Sequence, residues 1–483
     1  MNDIYPRHSL KLYIWSRHEI NCKGDHIMNL PTTRNSLGNN FFNVEGLTPE
    51  EIERIAFESG FCKRHSGKIK APDFLLYFCL QSLEGTVSYN DIASKIENNT
   101  DIDASRQAYH QRMGSECLDF FERILDSIIT SKCYHKTLDT LPDLNMFSRI
   151  LVQDSTVIRL PLRLFEVFSG VKNAHTVVCN ARIQGFYDLL SKKFIAFSID
   201  PYSRNDLSAA LDIDVKPGDL VLRDRGYFSV EIIQKLKEDG ADTISRYKHK
   251  TKIFDIETGN EINLLEYLTK NGSIDREVLI GKEKYKVRII ARPVNEETAN
   301  LRRMKARKES KHKNPSKELL ALMSWTIFIT TCESEVLTFD IILKLYGLRW
   351  RIENIFKTWK SHFSFDKIHN VSEKQLRVLL TARLIMIVFI YHRLFRPLSL
   401  KIKEISKKRL SLMKFSRHIR KNINFIYKVI DIENISEKTI KAVIRFCTYD
   451  SRKRKNFETR IEQIILEMNE LEDNHLLALF LPL

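Results

Sequence analysis

Residues 149–160 read RILVQDSTVIRL, a run of β-branched and long apolar side chains interrupted by one acid, Asp154. Val, Ile and Thr suit a pleated strand, because two heavy atoms on Cβ crowd the preceding turn of a helix. Two similar runs follow, HTVVCNARIQGFYDLL over 175–190 and KKFIAFSID over 192–200, separated by turn-forming residues. Three strands in succession read as an antiparallel meander. A helix is predicted over 203–211, then a buried strand at 220–222 that ends just before Asp224. A helix over 229–238 and a strand over 242–247 come next. Strands alternating with helices in this way predict an α/β layer, a mixed sheet flanked by helices.

The order β-β-β-α-β-α-β is that of ribonuclease-H-like folds, in which the first strand lies beside the fourth, so 146–247 and 326–365 are assigned to such a core. Between them, 248–325 reads as a mostly β insertion, with strands near 252–255 and 284–293, a basic helix from 296 to about 313, and a strand over 325–331. A long helix from 338 to about 362 closes the core, and 366–483 reads as a helical C-terminal region for DNA binding or dimerisation. Upstream, 1–40 is polar, broken by Pro31 and Gly38, and reads as a loose leader. The stretch 41–145 reads as a helical domain. Thr48-Pro49-Glu50-Glu51 opens one helix, 72–83 forms another, and Ser88 and Ser105 start two short helices in a helix-turn-helix succession. The last of these presents Arg106 and Gln107, side chains of the kind that read phosphates and base edges.

The 483 residues carry 77 Lys plus Arg against 61 Asp plus Glu, a net charge of +16, with 43% hydrophobic side chains. Wholesale disorder is excluded, and two to four domains fit the length. The positive excess gathers at 302–313, at 401–421, which includes Lys407, Lys408 and Arg409, and at 452–455. Together these favour a phosphate-binding protein. The longest uncharged apolar run, 384–391, lies between Arg383 and Arg393, too short to cross a bilayer. No secretory signal is recognised, and eight scattered cysteines without a C-x-x-C pair fit buried thiols, so a cytoplasmic protein is expected.

A third acid comes from YGLRWRIENIFKTWK, residues 346–360. At 100° per residue, Tyr346, Arg349, Glu353, Lys357 and Lys360 fall within an arc of about 80° on one helical face. Leu345, Leu348, Ile352 and Phe356 occupy the other side, so the helix can pack on the sheet while presenting Glu353 toward the two aspartates.

The arrangement Tyr346-x2-Arg349-x3-Glu353-x6-Lys360 resembles the signature of the DDE transposases of bacterial insertion sequences, in the branch called the insertion-sequence-four family. Asp154 in LVQDST and Asp224 in LRDRGYFS match that family's other two motifs, and the resemblance spans about 48–430. It implies that Asp154, Asp224 and Glu353 are catalytic and hold two Mg2+ ions, with Mn2+ as a substitute. Arg349, Lys357 and Lys360 would grip DNA phosphates, and Tyr346 would donate a hydrogen bond to one. Trp325 would stack on a base flipped from the strand. The activity implied is cut-and-paste excision at terminal inverted repeats, through a DNA hairpin, followed by strand transfer into target DNA by a homodimer holding two paired ends. The alternatives are a catalytically silent, element-derived DNA-binding protein and a nuclease of the same fold without strand transfer.

Overall fold

The computed structural model describes residues 10–13, 47–64, 68–100, 102–130, 146–172, 177–207, 213–310, 314–332, 337–449 and 457–480. Its N-terminal helices are α1 (Pro49–Glu58), α2 (Ala71–Ser82), α3 (Tyr89–Asn99), α4 (Arg106–Gln111) and α5 (Ser115–Thr130). Thr48, Ser88 and Ser105 each accept a hydrogen bond from the backbone N–H three residues on, satisfying a donor that has no partner within its helix. α2 is buried on all sides, as its nearly uninterrupted apolar sequence requires.

The sheet strands are β1 (Leu10–Tyr13), β2 (Arg149–Leu160), β3 (Ser169–Lys172), β4 (Val177–Asp188), β5 (Lys193–Pro201), β6 (Asp219–Arg223) and β7 (Asp242–Arg246), with α6 (Val230–Glu238) between the last two. β2, β4 and β5 form the expected antiparallel meander, and β6 and β7 add parallel beside β2. The first long strand therefore does lie beside the fourth. Further on come β8 (Ile253–Phe254), α7 (Leu264–Asn271), β9 (Ile274–Ile280), β10 (Tyr285–Pro293), α8 (Glu296–Glu309), α9 (Lys317–Leu322) and β11 (Trp325–Thr330). Their strands continue the same sheet, which runs β1-β5-β4-β2-β6-β7-β11-β10-β9-β8, with β3 on β4. A second apolar cluster, including Phe228, Ile233, Leu268, Val278 and Ile329, lies under this extension.

Several expectations change. Leu10–Tyr13 pairs with β5, so the leader carries one strand; its other residues lie outside those described. Residues 203–207 are turns where a helix was predicted, and 208–212 are outside the described residues. Side chains capture that segment: Arg204 binds Asp200 at 2.8 Å, and the Arg204 carbonyl accepts from Arg182 Nε at 3.1 Å. The helices α7 and α9 and the strands β3 and β9 were not anticipated. The long helix is two, α10 (Phe339–Leu348) and α11 (Trp350–His362), joined through Arg349 by hydrogen bonds spanning three residues rather than four. The basic segment 452–455 and residues 311–313 also fall outside the described residues.

α12 (Glu373–Phe389) runs through a π-helical turn, Ile390–Phe395, into α13 (Arg396–Ser406). This span is long and apolar enough to cross a membrane, but 89% of its most apolar stretch is buried inside the protein, which makes it the core helix. Arg383, fully buried on it, donates to the carbonyls of Ser82 (2.9 Å), Gly85 (2.8 Å) and Lys367 (3.0 Å). One guanidinium thereby ties the end of α2 to the loop after α11. Burial pushes it down to about 9. The chain continues as α14 (Leu412–Lys421), α15 (Phe425–Val429), α16 (Glu437–Cys447) and α17 (Phe457–Phe480). The six described cysteines are buried and free, as expected.

Candidate active site

The last registered pair between β2 and β6 is Gln153 with Arg223. Asp154 therefore sits in the middle of β2, where its parallel pairing with β6 stops, and Asp224 directly follows the carboxyl end of β6, the end at which open α/β sheets present their chemistry. Opposite Asp154 on β4 stands Gly185. A Cβ there would come within 3.0 Å of Phe194 and 3.2 Å of Phe356, so a bare backbone is what lets α11 lie close on the sheet. That approach delivers Glu353.

All three acids surround one cation. The Arg349 guanidinium lies 3.0 Å from Asp154 Oδ2, 2.7 Å from Glu353 Oε1 and 3.9 Å from Asp224 Oδ1. Its side chain is 7% exposed, against 16% for Asp154, 32% for Glu353 and 50% for Asp224. Burial pushes the Asp154 carboxyl up to about 6; Arg349 and the Ser155 amide act against the rise, while Glu353 and Asp224 add to it. Burial also works against the Arg349 charge, yet Tyr346 and the three acids outweigh it and hold the guanidinium above its ordinary value.

The face expected to meet phosphates is divided. Lys357 is exposed. Tyr346 is buried, its hydroxyl donating to the Arg223 carbonyl at 3.3 Å, and Lys360 Nζ donates to the Val157 carbonyl at 2.7 Å. Tyr346 thus braces α10 against the end of β6, and Lys360 braces α11 against β2. Trp325 is half-buried at the start of β11, its indole N–H donating to the Gly272 carbonyl at 2.7 Å.

Sequence reasoning missed two neighbours. Trp350 follows Arg349, is 59% exposed, and has the Arg349 guanidinium 6.0 Å over its ring. Arg246, at the end of β7, stacks over Phe328 (4.7 Å) and Tyr346 (5.5 Å). Burial lowers its pKa; Tyr346 opposes this, while Arg302, Arg225 and Arg349 add to it, so four guanidinium groups share this corner. Arg246 stands 22 residues beyond Asp224, and its charge alone carried no signal in the sequence.

Away from the acids, Arg106 and Gln107 are exposed on the six-residue α4, and Lys407 and Lys408 are exposed after α13. Arg409 differs: its guanidinium binds Glu462 of α17 at 2.7 Å, which commits it to an internal ion pair.

Comparison with known proteins agrees with this geometry. Residues 145–389 match the family model described as the transposase DDE domain. Similar relatives include the transposase of insertion sequence element IS231F from Bacillus thuringiensis subsp. israelensis, 25% identical over 86% of this chain and 91% of the relative. The transposase of IS231C from B. thuringiensis subsp. berliner is 27% identical over 88% and 95%, and that of IS1151 from Clostridium perfringens is 26% identical over 86% and 93%. With Asp154 and Asp224 on neighbouring strands and the helix that bears Glu353 all inside the matched region, the chain belongs to the DDE transposases of bacterial insertion sequences, enzymes that cut DNA and transfer its strands.

Proposed function

We propose that this transposase excises its element at terminal inverted repeats through a hairpin intermediate and joins it to target DNA, with Asp154, Asp224 and Glu353 as metal ligands. The carrying observation is that three carboxylates from three different elements converge on a single cation. The strand order β5-β4-β2-β6-β7, with β2, β6 and β7 parallel, supports the ribonuclease-H-like reading of the core.

An all-oxygen donor set suits Mg2+, with Mn2+ as a substitute. Two such ions, when bound, supply Lewis-acid activation of the attacking oxygen and charge stabilisation at the leaving one. Among the described residues, no three acids stand close enough to hold an ion as they are placed. We assign that spacing to Arg349, whose guanidinium fills the centre. In the resting chain it is the counter-ion of the triad; with DNA bound it turns to a backbone phosphate and releases the carboxylates. Arg246 beside Tyr346, and Lys357 and Lys360 further along α11, would hold further phosphates, and Trp325 would stack on the flipped base. A homodimer is the minimum, because two element ends must be cut and each chain offers one triad. Cytoplasmic action on DNA follows from this reading.

The test is cleavage of DNA carrying matched terminal repeats, with and without Mg2+, for the native protein and for Asp154→Ala, Asp224→Ala and Glu353→Ala. Each variant should bind end DNA and fail to cut it. A variant that cuts normally would remove that residue from the triad; loss of DNA binding in all three folded variants would sink the assignment.

A further inference from the structure

Beside the triad lies a fourth carboxylate. Asp206 sits in the turn between β5 and β6, 35% exposed. Its Oδ1 accepts from Ser155 Oγ at 2.7 Å and pairs with the Arg182 guanidinium, which also donates to Ser155 Oγ at 3.2 Å. Ser155 in turn donates its backbone N–H to Asp154 Oδ1 at 2.8 Å. An unbroken chain of hydrogen bonds therefore runs from Asp206 to the carboxylate of the first catalytic acid.

A second arm reaches Asp224. The Asp206 carbonyl accepts from Gln184 Nε2 at 3.4 Å, and Gln184 Oε1 accepts from the Tyr227 hydroxyl at 2.6 Å. Tyr227 closes the single 3-10 turn, Arg225–Tyr227, that follows Asp224. Within that turn Gly226 lies between the two carboxylates: a Cβ added there would meet Asp206 Oδ2 at 3.5 Å and Asp224 Oδ2 at 3.9 Å, ordinary contact distances. Asp206 thus bonds to Ser155 beside Asp154 through its carboxylate, and through its carbonyl to Gln184, which holds the turn after Asp224. Arg182, only 7% exposed, is held from behind by the Arg204 carbonyl (3.1 Å) and the Tyr202 ring (5.0 Å), so the clamp has a fixed base.

We propose that Asp206 is a positioning residue: through Ser155 on one side and the Gly226 turn on the other, it sets the orientation and separation of Asp154 and Asp224 for divalent-metal binding. It is one step removed from the ligands, as the acceptors that orient metal-binding side chains in other sites are. The inference rests on the metal-ligand reading of the triad given above.

Asp206→Asn, Asp206→Ala and Ser155→Ala are compared with the native protein and with Asp154→Ala, each bound to end DNA. The Mg2+ concentration giving half-maximal first-strand nicking is read for each, and Ca2+ binding to the same complexes is measured by calorimetry. Loss of an orienting partner typically weakens metal affinity by roughly 10- to 100-fold. Asp206→Ala should raise both the half-maximal Mg2+ concentration and the Ca2+ dissociation constant by that factor, Ser155→Ala should shift both in the same direction by less, and saturating Mg2+ should restore most of the rate. Asp206→Asn, which keeps an acceptor for Ser155 but loses the pairing with Arg182, should fall between native and alanine. An unchanged metal dependence in folded Asp206→Ala, or a drop in rate that excess Mg2+ does not reverse, overturns the proposal. A native protein whose cutting ignores Mg2+, or an Asp154→Ala variant that cuts normally, overturns the metal reading itself, and the two failures are thereby distinct.

Discussion

Replacing Arg349 by Ala separates two jobs that the structure gives to one side chain. Its guanidinium makes two charge-assisted hydrogen bonds, to Asp154 and Glu353, and a longer contact to Asp224. Bonds of that kind contribute roughly 1.5–3 kcal/mol each. Glu353 is about one-third exposed and screened accordingly, so about 3 kcal/mol is a reasonable sum for the cation in the resting site. If the guanidinium competes with divalent ions for these oxygens, removing it tightens their binding by a factor on the order of 100, since each 1.36 kcal/mol is tenfold. Calorimetric titration of the DNA-free protein with Ca2+ is the assay, with thermal unfolding in chelator and in Ca2+ beside it. Arg349→Ala should unfold earlier than native in chelator, gain more from Ca2+, and bind Ca2+ tighter by one to two decades, yet cut DNA poorly because a phosphate loses its partner. Arg349→Lys keeps the charge without the planar fork and should fall between the two. Equal or weaker Ca2+ binding by the alanine variant would refute the competition and leave Arg349 a fixed part of the triad.

Trp325→Ala should nick the first strand normally and then yield roughly 10-fold less hairpin or lower, because stacking a base on an aromatic ring contributes about 1–3 kcal/mol; equal hairpin on a gel would return the indole to a purely internal role at Gly272. Glu122, on α5, has a buried Oε1 with no donor among the described residues, and burial pushes it up to about 7. A raised value means that the folded state favours the protonated acid, so this stability is fully present near pH 4 and lost as pH rises through 7. Glu122→Gln should therefore raise the melting temperature at pH 8, by up to about 3 kcal/mol of stability, and have little effect at pH 4; a pH-independent difference would contradict this. Neutralising Lys407, Lys408 and Lys414 should flatten the salt dependence of end-DNA binding by about one unit of slope for each phosphate deprived of its cation, while Arg409→Gln, already paired with Glu462, should loosen α17 and leave the slope unchanged.

The meander, the two aspartate motifs and the helix that bears Glu353 were legible because each is a local pattern: β-branched runs broken by an acid, and a 3.6-residue period with an acid on its polar stripe. Helical arithmetic placed Tyr346 and Arg349 correctly beside Glu353 but said nothing of what covers that stripe, and the polar face turned inward onto β2 and β6. Asp206 was invisible for another reason. Its segment has a composition that fits a short helix, and partners distant in sequence, among them Arg182 and Ser155, 24 and 51 residues away, hold it as a turn. Arg383 misled in the opposite direction, marking the edge of an apolar run in the sequence while lying fully buried in the structure, where four backbone carbonyls within 3.5 Å replace water around its charge.

The unbroken sheet changes what the segment 248–325 is in mechanical terms. β7 pairs with β6 on one side and with β11 on the other, through Ile244 with Thr330 and Arg246 with Phe328. Cutting the segment out would therefore not free an independent module. It would strip β10 from β11 and leave β11 with an open row of amides and carbonyls one strand beyond β7, and such an edge invites pairing with another chain. Three residue pairs set the register of β11 on β7, so the placement of Trp325, at the start of β11, follows from strand register. The far rim is the place in this segment where length can vary with least strain, since β8 is two residues long and the turn leading into Gly259 is exposed. Tags or grafted binding loops belong at that rim, whereas a graft at the seam would pull directly on the strand beside Asp224.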